Sequence, residues 1–293
     1  AGLWAPLATM LLLGDRAEPT RTENRARVPY PELSGNWQSM RTFPDRYEIY
    51  ADNQFGLREH LIRWHSRLCV TLFRMSPSPK VRLGENDWLY FDGDPAADDG
   101  SPVADYTGLT PLSHAQLETL RDHYQDQSDF LKAQGMRYLL VLIPTKPLIY
   151  PEYLPRNVFR VHDTTWRDQL VSYLREHTDV EVLDLAPPLL AARDEEQLFF
   201  KTDTHWTPAA GLLAAGEIVR ALKPWFPVLE PRPDSIYSRR PGAIKLGDLA
   251  RMMNLQDAFT ETYVDLVPGP ESRGTNLVLS ADAFAPIEGG NGD

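Results

Sequence analysis

Tyr138-Leu139-Leu140-Val141-Leu142-Ile143 decides the class of fold this chain adopts. An unbroken apolar run has no polar face, which marks a strand buried on both sides rather than one alternating between core and water. Upstream, residues 114–134 carry helical spacing and stop at Gly135, where a helix terminator belongs. Downstream, a helix is predicted from Asp163 to His177, a strand over Val180-Glu181-Val182-Leu183-Asp184-Leu185, and a further helix from Ala209 to Leu222. Helices alternating with buried strands predict an α/β domain built on a doubly wound, mainly parallel sheet with flanking helices.

Toward the N-terminus the pattern changes. From Phe55 to Phe73, apolar residues at Leu57, Leu61, Ile62, Trp64, Leu68 and Leu72 follow near-helical spacing, and Met75 to Pro79 breaks it. Lys80-Val81-Arg82-Leu83 and Trp88-Leu89-Tyr90-Phe91 flank Gly84-Glu85-Asn86-Asp87, the pattern of a β-hairpin. That hairpin and the preceding helix would form a small N-terminal lobe. Residues 92–111 are acidic and read as a loop; Asp92, Asp94, Asp98 and Asp99 lack the spacing of a calcium loop. Residues 15–45 are polar and dotted with proline, a linker or arm. The apolar stretch over 1–14 is too short to span a bilayer and resembles the end of a signal or anchor segment. Residues 46–293 then form the main domain, expected to be incomplete at its C-terminal end, and the anchor-like start implies that it works outside the cytoplasm.

Composition excludes several classes. The 293 residues are 42% hydrophobic and 24% charged, ordinary globular values that exclude a disordered or collagen-like chain. A net charge of −11 repels phosphate backbones, so nucleic acid is not an expected partner. Cys69 is the sole cysteine, which excludes an intrachain disulfide and a cysteine-based metal site; its apolar neighbours suggest burial. No glycine-rich phosphate loop follows any predicted strand, and His60 and His65 do not have a metal-ligand spacing. Neither a metal nor a cofactor is expected. His177 falls near a helix C-terminus, a structural position for a partly charged ring. His114 and His123 read as solvated helix residues.

The stretch with chemical content is Phe199-Phe200-Lys201-Thr202-Asp203-Thr204-His205-Trp206-Thr207-Pro208. Thr207 and Pro208 fit the N-cap and first turn of the following helix. Residues two apart in an extended segment project to one side, so Asp203 can reach one imidazole nitrogen of His205 while the other faces outward. Such a carboxylate fixes the tautomer and stabilises the imidazolium that forms when histidine accepts a proton. Spacing alone leaves open a plain capping and hydrogen-bonding role.

The run Thr202-Asp203-Thr204-His205-Trp206 resembles the signature of the alginate O-acetylation proteins of the AlgX and AlgJ type, an SGNH-hydrolase-like family. The similarity is spread along the chain. Asp52-Asn53-Gln54-Phe55-Gly56-Leu57-Arg58 resembles a motif near the start of the mature domain. Lys80 to Tyr90 resembles a hairpin in which Asp87 replaces the second glycine. Pro144-Thr145-Lys146, Tyr150-Pro151 and Leu154-Pro155 resemble the loop after the first core strand, and Gly247-Asp248-Leu249 a later motif.

The resemblance implies an SGNH-like fold and a Ser-His-Asp acyl-enzyme mechanism. His205 would be the general base and Asp203 its orienting acid, with Lys146, Tyr150 and Trp206 lining the substrate. For Lys146 and Tyr150, a salt bridge and a packed ring are the plainer alternatives. The family's serine belongs in a block comparable to Leu277-Val278-Leu279-Ser280-Ala281-Asp282-Ala283-Phe284, yet Ala283 stands in its place. The nucleophile would then lie beyond Asp293, be absent, or be Ser280. The expected activity is O-acetylation of an exported polysaccharide in the periplasm, with the protein anchored at the inner membrane and a membrane-bound O-acyltransferase supplying acetyl groups. A carbohydrate acetylesterase and a non-catalytic polysaccharide-binding or assembly component are the rivals.

Overall fold

The computed structural model describes residues 26, 28–54, 57–94, 100–242 and 246–269. The chain divides into two compact units: residues 1–77 with Met253–Leu255, and residues 78–252 with 256–293. In the first unit, α1 spans Trp37–Gln54 and α2 spans Arg58–Phe73. The arm expected over 15–45 thus contains the first half of a helix, which Pro44 and a polar sequence disguise. Asn53 and Gln54 at its end bind the backbone near Val28. Cys69, expected to be buried, is half-buried beside His65, because α2 buries little beyond Ser66.

The second unit begins with the hairpin β1 (Val81–Leu83) and β2 (Leu89–Phe91), paired antiparallel. Its turn places Asn86 and Asp87 at φ 53° and 64°, left-handed values that asparagine and aspartate tolerate better than other non-glycine residues. Asp87 thus fills a position that favours glycine. Helix α3 (Pro102–Thr107) lies in the stretch read as a loop; Ser101 caps it, and Gly108 at φ 74° ends it. Asp92 and Asp94 are ion-paired with Arg82 and Lys80.

Helix α4 (His114–Ala133) starts with a capping box between Ser113 and Gln116. Then come β3 (Leu139–Leu142), α5 (Lys146–Ile149), a 3₁₀ turn over Pro151–Tyr153, α6 (Trp166–His177), β4 (Glu181–Asp184), α7 (Ala186–Ala192) and α8 (Pro208–Leu222). Strands β3 and β4 pair in parallel, Leu139 facing Glu181 and Leu142 facing Asp184. The antiparallel pair β5 (Tyr237–Pro241) and β6 (Val264–Pro268) flanks the short helix α9 (Asp248–Met252).

The doubly wound sheet expected from sequence is not what the described residues form. Its parallel component is two strands of four residues, and all four residues of β3 are only partly buried. The apolar run at 138–143 therefore faces the core incompletely, and Ile143 is exposed. Burial concentrates instead on a cluster of Trp88, Tyr90, Ile149, Tyr150, Leu185, Leu189, Leu198 and Phe199 with the alanines of α8. That cluster underlies the loop between α7 and α8.

Candidate active site

Residues 199–207 form a loop tied at both ends. Phe199 bridges Trp206, and the Phe200 N–H donates to the His205 carbonyl at 3.2 Å, closing the loop on itself. Thr207 caps α8 by accepting the Ala210 N–H. The loop is thus pinned at the mouth of a helix, and Asp203 and His205 sit at its tip.

Asp203 is 5% exposed and His205 74% by side chain, with Nδ1 of the ring 2.6 Å from Asp203 Oδ1. The same oxygen accepts the His205 N–H at 3.0 Å, while Oδ2 accepts the Asp248 N–H at 3.1 Å. Two backbone donors and the ring favour the ionised carboxylate. An ionised carboxylate has no hydrogen to give, so in the neutral ring the proton belongs on Nδ1 and the lone pair on Nε2.

Asp248 is the second carboxylate of the site. It accepts the Thr204 N–H at 2.7 Å and the Thr204 hydroxyl at 2.5 Å, and its Oδ2 lies 3.5 Å from His205 Nδ1. Gly247 allows this approach: a Cβ there would fall 1.9 Å from the Thr202 carbonyl oxygen. Asp203, His205 and Asp248 gather ligand atoms within 4.8 Å, a spacing open to a cation, but each is already engaged in the hydrogen bonds above.

A cavity of about 330 Å³ opens beside the ring, walled by Phe91, Ile143, Pro147, Phe199, Trp206 and His205. A larger one of about 710 Å³ lies on the far side of Leu198 and Ala209, among Glu196, Arg220 and Arg239, without His205. Trp206 lines the smaller cavity. Tyr150 does not: its buried ring packs 4.6 Å from Trp88, and its hydroxyl accepts the Leu198 N–H and donates to the Arg193 carbonyl. The aromatic core claims it.

Lys146 lines that cavity, but the residue is only 4% exposed and its ammonium is turned to backbone carbonyls. It donates to the carbonyls of Phe200, Lys201 and Asp203 at 3.1, 3.2 and 2.8 Å, three acceptors for three N–H groups. Burial pushes it down to about 7, against Glu261, Asp248 and Asp203, which favour the charged form; three acceptors around Nζ call for three N–H groups, so the arrangement is that of the ammonium. Sequence reading missed Glu261 altogether. Its buried carboxylate accepts the N–H groups of Lys201 and Thr202 and the Thr202 hydroxyl, each at 2.7 Å. Ser280 and Ala283 lie outside the described residues.

The sequence model of the SGNH hydrolase-like domain, acetyltransferase AlgX, matches residues 81–276, more than half of the chain. The chain therefore belongs to this SGNH hydrolase-like family. Among its relatives, the "Probable alginate O-acetylase AlgJ" of Pseudomonas syringae pv. tomato is 27% identical over 268 residues, 90% of this chain and 62% of that protein. The protein of the same name from Azotobacter vinelandii is 25% identical over 243 residues, 82% of this chain and 57% of its own. The chain thus spans about three-fifths of these relatives' length. Of solved structures, the O-acetyltransferase domain of Pseudomonas putida AlgJ aligns with a TM-score of 0.45 at 24% identity, over 65% of this chain and 66% of that one.

Proposed function

We propose that the chain is an O-acetyltransferase that esterifies hydroxyls of an exported, alginate-like polysaccharide through a Ser-His-Asp acyl-enzyme. The observation that carries this reading is the 2.6 Å contact between Asp203 and Nδ1 of an exposed His205, beside an apolar cavity. A serine oxygen attacks the acetyl carbonyl as His205 Nε2 takes its proton. The donor's C–O bond breaks, and the proton passes from Nε2 to the departing oxygen. A sugar hydroxyl then gives its proton to Nε2 and attacks the acyl-serine, and the serine oxygen leaves with that proton. Trp206 offers a flat apolar face to a sugar ring. Acetyl groups would come from a membrane-bound O-acyltransferase, and the protein would work in the periplasm, held at the inner membrane by its N-terminal segment. No helix among the described residues is long and apolar enough to cross a membrane.

The openness of His205 favours a second reading, acetylesterase, in which water takes the acyl group instead of a sugar. Incubating the protein with an acetyl ester and alginate oligosaccharides separates the two. Oligosaccharides heavier by one acetyl group indicate transfer, and free acetate alone indicates the esterase. Neither product leaves a binding or assembly role. His205→Ala should abolish turnover while the protein stays folded, and Asp203→Asn should cost less, because the base remains. Full activity in His205→Ala would remove the assignment. A sulfonyl inhibitor mapped by mass spectrometry identifies the serine and decides whether it is Ser280.

A further inference from the structure

We propose that Lys146 and Glu261 are positioning residues: a buried cation and a buried anion that grip one loop from opposite sides and hold His205 in its Nδ1–H tautomer. The inference rests on His205 being the base. Residues 200–203 belong to no helix or strand, so their backbone groups need partners from elsewhere. The carbonyls of Phe200, Lys201 and Asp203 turn to Lys146 Nζ; that of Thr202 accepts the Ala250 N–H. The N–H groups of Lys201 and Thr202 turn to Glu261.

Two consecutive peptide groups therefore lie between the opposite charges, each with its oxygen toward the ammonium and its N–H toward the carboxylate. Both dipoles point the same way and each interacts favourably with both charges, so the pair orients the backbone as well as satisfying it. Neither side chain touches the ring. The effect travels along the chain: the Asp203 carbonyl is held by Lys146 at 2.8 Å, and that grip fixes where the Asp203 carboxylate meets Nδ1. Released from Asp203, the imidazole would redistribute its proton between its two nitrogens.

Long-range ¹H–¹⁵N correlation on the substrate-free protein, above the ring's titration, tests this directly. Wild type should show protonated Nδ1 and bare Nε2 at His205. Glu261→Gln, nearly isosteric but uncharged and one acceptor poorer, should shift the two nitrogens toward a mixture. His177, whose Nδ1 lies 2.9 Å from the Tyr173 carbonyl, serves as the unperturbed control. The kcat of Glu261→Gln should fall roughly ten- to a hundredfold with KM within threefold, the pattern of a misplaced base rather than a lost binding contact. Glu261→Asp should recover part of both. Should Glu261→Gln not fold, Thr202→Val removes one contact of the grip and should move the same signals less. A folded variant with wild-type tautomer and wild-type kcat overturns the proposal. Because the tautomer is read without substrate, a shifted ring in a protein that transfers no acetyl group would keep the grip and discard the transferase reading instead.

Discussion

Gly247→Ala would place a Cβ 1.9 Å from the Thr202 carbonyl oxygen, 2.3 Å from its carbon and 2.5 Å from its hydroxyl. A carbon rests no closer than about 3.3 Å to a carbonyl oxygen, so one segment must move by roughly 1.4 Å. Neither can move freely. Thr202 is held by Glu261 through its N–H and by Ala250 through its carbonyl, and α9 is tied to the same loop through Asp248 and Thr204. The displacement therefore reaches Asp203 and His205, one and three residues further along. A misplacement of about 1 Å in a catalytic group can cost about a hundredfold, so kcat/KM should fall by roughly that factor. Overpacking of this kind also costs about 1–3 kcal/mol, several degrees in melting temperature for a chain of this size. Steady-state hydrolysis of an acetyl ester and a thermal melt on one preparation measure both. A variant matching wild type within twofold in kcat/KM and melting at the same temperature would refute the close approach of the two backbones and the rigidity inferred from it.

Two further substitutions probe the scaffold rather than the site. Gly211→Ala lies inside α8 with nothing within 4 Å of the added Cβ, so it should raise stability by about 0.5–1 kcal/mol and leave kcat alone; a lower melting temperature would contradict the geometry. Asp105 in α3 is buried and accepts the Trp166 N–H at 2.9 Å; burial pushes its carboxyl up to about 6, chiefly against that hydrogen bond. Its proton is held more tightly in the folded than in the unfolded chain, so stability is complete below about pH 4 and declines as pH rises through about 6, by at most roughly 3 kcal/mol. Asp105→Asn keeps the acceptor and removes the charge, and should therefore melt above wild type at pH 7.5 but level with it near pH 4; equal melting at both pH values would rule out the penalty.

The parts of this fold legible in sequence are those whose signals are local. Helical spacing from residue 114 and Thr207 with Pro208 announced two helix starts, and the parallel pairing of β3 with β4 followed from two predicted strands separated by a helix. The extent of the sheet was not legible, because an apolar run shows preference for burial without showing how many strands will cover it. Helix α3 had every marker, with Ser101 before Pro102 and Gly108 after Thr107, and was hidden only by the acidic residues around it. Asp203 and His205 could be paired on paper because they stand two positions apart in extended chain. Lys146 stood out only through the loop motif Pro144-Thr145-Lys146 and Glu261 not at all, since the partners that give them their role lie 54 to 64 positions away in sequence.

That division explains why the site resists reading from sequence while its key pair does not. Strands of three to five residues give the second unit little regular backbone to build on. The loop bearing His205 is accordingly held by charged side chains brought in from α5, α9 and the segment before β6. Buried charges are costly unless each hydrogen bond is made. Here Lys146 has three acceptors, and Glu261 has three donors on the loop and a fourth in Gln197. A network of that kind contributes little net stability compared with an apolar core, yet it tolerates only one arrangement of the backbone it surrounds. Isosteric changes at its members should therefore disturb His205 before they disturb the fold.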